Sequence, residues 1–174
     1  MAEDFSIALL DASGEGVRVE WDLDALAAMA APSSDSTPAP PWSLASDPPD
    51  WERWESLRVV SAAFADGQML ALAALRPAGA MGHGEDVVGG VVVREAQPAA
   101  FDEVLLSTQY EDGEVARVNV EAYEGPDSVP LRAAGDRLAT SSGGDGGAAL
   151  EVTVLSMRMS GQTGFGTVDV MRPA

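Results

Sequence analysis

The sequence predicts an all-β protein, an antiparallel, barrel-like domain of about ten strands with one short helix and one proline-rich loop. Three observations carry that expectation. Apolar and polar residues alternate with period 2 over much of the chain. Several apolar runs are separated by Asp-Gly or other glycine-containing turn signals. Only one segment is rich in a strong helix former.

The elements follow in chain order. Residues 5–10 read as a first strand. In 17–23, apolar Val17, Val19, Trp21 and Leu23 alternate with Arg18, Glu20 and Asp22, the pattern of a half-buried strand. Residues 24–31 are alanine-rich and follow acidic cap candidates Asp22 and Asp24, so a short helix is expected there. Residues 32–50 hold Pro32, Pro38, Pro40, Pro41, Pro48 and Pro49 and read as one long, partly extended loop. Asp50 is placed to cap a single turn carrying Trp51 and Trp54.

Runs 57–65 and 68–76 flank Asp66-Gly67, a two-residue hairpin signal. Residues 77–86 form a glycine-rich loop, and 87–94 the next strand. A second hairpin joins 103–110 to 114–124 through Glu111-Asp112-Gly113; in it Ala116, Val118, Val120 and Ala122 share one face, and Arg117, Asn119 and Glu121 the other. A strand is expected over 128–138. A flexible link at 143–147 leads to a last hairpin, 150–160 and 165–172, turning through 161–164. The link is no phosphate loop, because no Lys-Ser/Thr follows its glycines. Ten meandering strands must hide their edges, by closing into a barrel or by pairing two sheets. The barrel is the first expectation and a β-sandwich the alternative.

At 174 residues the chain fits one domain, residues 1–174. It lacks cysteine, which excludes disulfides, thiolate metal sites and cysteine nucleophiles. All ten basic residues are arginine, which excludes Schiff-base chemistry and a P-loop lysine. The formal charge of −18 repels nucleic acid and anionic membrane surfaces alike. The acidic start, Met1-Ala-Glu-Asp-Phe-Ser, has no basic region ahead of an apolar run, so a cytoplasmic location is expected. No metal or cofactor is expected, since neither H-E-x-x-H nor an EF-hand spacing occurs. A homodimer is left open.

His83 is the single histidine and the one candidate for acid–base catalysis. Glu85 and Asp86 are near enough in sequence to pair with it. An exposed loop histidine is the blander reading, and mobile glycines at 82 and 84 favour it. Trp51 and Trp54, with Trp42, cluster beside the proline-rich loop and are candidates for the wall of a ligand cavity or for core. Arg117 and Asn119 are ligand-binding candidates if their face lines a lumen, and ordinary surface if it meets solvent. No G-x-S-x-G context surrounds any serine.

Four phrases in the second half carry a resemblance. They are Ala74-Leu-Arg-Pro-Ala-Gly-Ala80 with His83, Ser107-Thr-Gln-Tyr-Glu-Asp-Gly113, Pro130-Leu-Arg-Ala-Ala-Gly135, and Met157-Arg-Met-Ser-Gly161 with Gly164-Phe-Gly166. They resemble the C-terminal part of lipocalin-like proteins related to bacterial carotenoid hydratases. The resemblance implies a lipocalin-like barrel that handles apolar, isoprenoid-like or polyketide-like molecules. Members of that group carry two such domains in tandem, and this chain has the length of one, so no catalytic residue is carried over. Three functions are expected from these readings. One is a module binding a small apolar molecule. The second is a hydratase, cyclase or isomerase acting on one, and the third a non-catalytic interaction domain.

Overall fold

A computed structural model of the protein describes residues 4–31, 39–145 and 147–174. It is all-β and antiparallel, with 64% strand, more than double the usual share. Among the described residues there are twelve strands: β1 (Phe5–Leu10), β2 (Gly16–Trp21), β3 (Trp42–Leu44), β4 (Trp54–Phe64), β5 (Met69–Pro77), β6 (Val87–Arg94), β7 (Gln97–Ala100), β8 (Glu103–Glu111), β9 (Glu114–Tyr123), β10 (Leu131–Asp145), β11 (Ala148–Met159) and β12 (Gln162–Pro173). An α-helix, α1 (Leu23–Ala28), begins where Asp22 Oδ1 accepts from Ala25 N at 3.0 Å, the expected acidic cap. No described helix is long and apolar enough to cross a membrane.

The strands form two sheets, β1-β2-β3 and the nine-stranded β7-β6-β5-β4-β12-β11-β10-β9-β8. One face of the large sheet packs against itself. Side chains from β4, β5, β6 and β8 through β12 meet in a single apolar cluster, with Phe64, Leu72, Val118, Leu155 and Met157 fully buried. The small sheet and α1 cover the opposite face of β4, β5 and β6, where Val19, Trp21, Leu26 and Trp54 pack on Leu57, Ala73 and Val93. β4 and β5 are therefore buried on both sides. That is why 57–65 and 68–76 are nearly continuous apolar runs, while one-sided β9 alternates.

Four expectations need correction. The proline-rich stretch 32–50 is not one loop: Trp42, Ser43 and Leu44 pair with Trp21, Glu20 and Val19 as β3. Residues 32–38 lie outside the described residues. The strand count rises from ten to twelve through β3 and β7. The β6–β7 turn is made by Glu95 and Ala96 at φ 52° and 61°. This is the left-handed pair a two-residue hairpin needs, built without the glycine or asparagine that signals one. The last hairpin also turns earlier than expected, at Ser160-Gly161 (φ 49° and 79°), with Gln162 already in β12. At the other hairpin, Gly143 and Gly144 continue β10 and are not a loose link.

Gly89 and Gly90 let layers approach on both sides of β6. A Cβ at Gly90 would lie 2.2 Å from Leu72 Cδ2 and 3.1 Å from Phe101 Cδ2. Leu72 is fully buried and has nowhere to move. Gly90→Ala is expected to lower stability by about 1–3 kcal/mol through overpacking. Gly84→Ala, where nothing lies within 4 Å, should be close to neutral. Urea denaturation of both variants checks the contrast.

Candidate functional site

A concavity of about 950 Å³ crosses β8 to β11, from the 3₁₀ turn His83–Glu85 at one end to the β11–β12 turn at the other. Register fixes which side chains face it. Ser107, Asn119, Ala134 and Arg158 are cross-strand partners in one row, and Leu105, Glu121 and Arg132 in the next. Both rows lie on the face opposite the interior cluster, since Leu106, Val120 and Met157 point inward. The lining surface is mostly apolar: beside Leu105 of the outward rows it takes in Val88, Leu106, Val120 and Met159, which belong to or pack against the interior cluster. His83, Ser107, Asn119, Glu121, Arg132 and Arg158 interrupt it.

The charged side chains of this face are laced together. Arg158 donates to Asp136 Oδ2 at 2.9 Å and Arg117 to Asp136 Oδ1 at 3.3 Å. Arg132 reaches Glu121 at 3.4 Å, and Glu121 also accepts the Tyr123 hydroxyl. That hydroxyl, more than the Arg132 contact, holds the Glu121 carboxyl below its usual range. Each arginine spends few of its five donors on these contacts.

Behind the His83 end stands a buried ion cluster. Asp86, whose side chain is wholly buried, accepts from Arg58 at 2.5 Å and from Arg76 at 2.9 and 3.3 Å. Arg58 is only 2% exposed and also donates to the Thr108 hydroxyl. Its Nε is buried without a hydrogen-bond partner. Burial pulls the Arg58 pKa down while Asp86 pulls it up. Arg76 is raised, chiefly by its hydrogen bond to Asp86. Two guanidiniums on one carboxylate pin the 83–86 turn against β4 and β5, and so fix one wall of the concavity.

His83 lines the concavity with its ring half exposed. Its Nδ1 lies 2.8 Å from an Arg76 nitrogen and 3.6 Å from Asp86 Oδ2. A guanidinium has only donors, so the Arg76 contact is a hydrogen bond in the tautomer whose Nδ1 is free to accept. Glu85 is turned away to the backbone N–H of Met81 at 2.5 Å. Asn119 lines the same concavity, and Arg117 sits beside it, paired with Asp136. Both face outward, away from any lumen. Trp51 and Trp54 are elsewhere: Trp54 is 3% exposed in the core between the two sheets, and half-buried Trp51 packs against it. Asp50 does cap their turn, accepting from Glu52 N at 3.1 Å.

Sequence reasoning missed Arg58 and Arg76. The signal was present in Leu57-Arg58-Val59, since an arginine inside an apolar run must find a buried anion. Among the described residues no cluster of His, Asp and Glu is placed to hold a metal ion. No protein-family model matches the chain, and no curated protein matches it in sequence.

Proposed function

We propose that this protein is a binding module for a small, largely apolar molecule with one or two polar groups, held in the concavity over β8–β11. One observation carries the reading: a mostly apolar hollow of about 950 Å³, interrupted by a few convergent polar side chains, has the size and make-up of a small-molecule site. The interior of the large sheet is a poorer candidate, because Phe64, Leu70, Leu72 and Met157 already fill it. The ligand is therefore placed outside the sheet, with Arg132, Arg158 and Asn119 addressing its polar part.

The same reading takes the large sheet as a lipocalin-like barrel and not half of a sandwich. Two facts support this. β8, one edge of the sheet, packs on β6 beside the other edge, where a Cβ at Gly90 would lie 3.2 Å from Val104 Cγ2, and every strand but β7 feeds one interior cluster. A barrel filled by side chains, with the ligand outside, departs from the usual lipocalin arrangement.

Titration with the uncharged dye Nile red tests the proposal. Saturable binding is expected, weakened about tenfold or more by Ala134→Trp or Ser107→Trp, which fill the hollow without touching the core. Equal binding by wild type and both variants would place the site elsewhere. No binding at any concentration short of aggregation would move the interaction-domain reading ahead. A second reading, proton transfer with the bound molecule, rests on His83 alone, which lines the concavity with Arg76 and Asp86 behind it. His83→Ala should then abolish turnover of a found substrate and leave dye binding intact.

A further inference from the structure

The interface between the two sheets contains an acidic group that the proposed site does not use. Asp169, in the middle of β12, is fully buried. Its Oδ2 accepts from the indole N–H of Trp42 in β3 at 2.5 Å. Among the described residues its Oδ1 has no hydrogen-bond partner of good geometry, and the hydroxyl of Thr167, two residues away on the same face, has none either, although it lies near enough to favour the ionised carboxyl weakly. Cross-strand neighbours are Val59 on β4 and Val152 on β11. That face continues through Leu57 and Ser61 on β4, Leu150 and Val154 on β11 and Met171 on β12. Ser61 is occupied by the Trp21 indole at 3.0 Å. From the covering layer come Val19, Trp21 and Trp42, all apolar or indole. Among the described residues no charged side chain bears on Asp169; Arg158, on the same face of β11, stands opposite Thr163 near the far end of β12.

The covering strand is short. β3 has three residues and, among the described residues, pairs with β2 alone at the edge of the small sheet. It meets the large sheet through the Trp42–Asp169 hydrogen bond, beside the apolar packing of Trp42 and Leu44 in the interlayer core. We propose that Trp42 and Asp169 form a proton-operated latch: the strap at 39–50 lies closed on β12 while the carboxyl is protonated, and lifts more readily once it ionises. The neutral acid can sit dry between Val59 and Val152. Its O–H gives the Thr167 hydroxyl a partner, while Oδ2 keeps the indole. A carboxylate in the same place has exchanged water for one good donor, and gains by letting water in.

Burial pushes the Asp169 carboxyl up to about 6, against the opposing pull of the Trp42 N–H and the Thr167 hydroxyl. With the open form near the ordinary aspartate value, the opening equilibrium should rise about tenfold between pH 5 and pH 8 and level off above pH 7. The latch does not depend on the ligand site, which lies across a different part of the sheet.

Hydrogen exchange on the whole protein tests it, with protection factors corrected for the intrinsic pH dependence of exchange. The reporters are the amides closing the strap, Ala45 N to Arg18 O and Asp22 N to Pro41 O, both at 2.9 Å. Their protection should fall about tenfold from pH 5 to pH 8. In the β9–β10 ladder it should not change. Asp169→Asn should make the strap's protection independent of pH. Trp42→Phe removes the donor that holds the carboxyl down, so its transition should move to higher pH; this variant keeps the test open should Asp169→Asn misfold. Strap protection without pH dependence in wild type would overturn the latch. So would the same dependence in Asp169→Asn, or an unmoved midpoint in Trp42→Phe.

Discussion

Asp86→Ala is expected to cost about 3–5 kcal/mol of folding stability, the usual penalty for stripping the partner from a buried charge. The carboxylate is wholly buried between Arg58 and Arg76. Its removal leaves Arg58, 2% exposed, with the Thr108 hydroxyl as its remaining partner. Arg76 is about a quarter exposed and can turn to water, so most of the penalty falls on Arg58. A loss of this size is a large share of the 5–15 kcal/mol typical of a whole domain. The second arm separates charge from packing. Arg58→Met in the Asp86→Ala background removes the stranded cation and should recover more than half of the loss, since apolar replacement of buried ion pairs is often neutral. Urea denaturation of the single and double variants reads both arms. A loss under about 1 kcal/mol for Asp86→Ala, or no recovery in the double variant, would show that the cluster is not what holds the 83–86 turn.

The same cluster shows where the sequence was legible and where it was not. Alternation in 114–124 gave β9 and the division of its faces from Arg117 onward, because one-sided burial writes itself into every second residue; before that a bulge puts Val115, and not Ala116, into the core. Asp66-Gly67 and Asp112-Gly113 marked their hairpins through residues suited to left-handed backbone, and Gly67 and Gly113 have φ of 90° and 83°. Glu95-Ala96 adopts a similar backbone with unsuited residues, so β7 left no local mark. β3 was hidden for another reason: three residues flanked by prolines are too few for a period to declare itself. At the site, the polar face of β9 was visible, but its outward direction was not. That direction depends on which face of a curled sheet meets its own interior, and only long-range pairing decides it. His83 and Asn119 belong to one concavity although 36 positions separate them in the chain. Trp51 and Trp54 adjoin a proline-rich stretch, as sites often do. Yet they serve the interlayer core, where their size fills the space above β4.

Asp169→Asn should raise stability at neutral pH by about 3 kcal/mol and change it little near pH 4. The sign follows from the direction of the shift. The folded carboxyl titrates at about 6 against 3.8 for an ordinary aspartate, so folding opposes its ionisation. Below pH 4 both states hold the proton, and the native packing around the neutral acid is fully favourable. Between pH 4 and pH 6 the unfolded chain releases the proton first, and stability drains away. Above pH 6 the loss is complete and constant. Asparagine is nearly the same shape, offers its carbonyl oxygen to the Trp42 N–H, and can point its amide at the Thr167 hydroxyl, all without titrating. Exposed carboxyls whose pKa values are lowered, Asp11 and Asp66 with their side-chain hydrogen bonds to Ser13 and Gln68, pull the wild-type profile the other way as pH falls. They are common to both proteins and cancel in the difference. Urea midpoints for wild type and variant at half-unit steps from pH 4 to pH 8 should therefore diverge as pH rises, with the gap opening below pH 6 and flat above pH 7. A gap that is constant across the range would mean that asparagine merely packs better. A variant less stable than wild type at pH 7 would mean that the carboxylate is welcome where it lies, and that donors reach Oδ1 in solution.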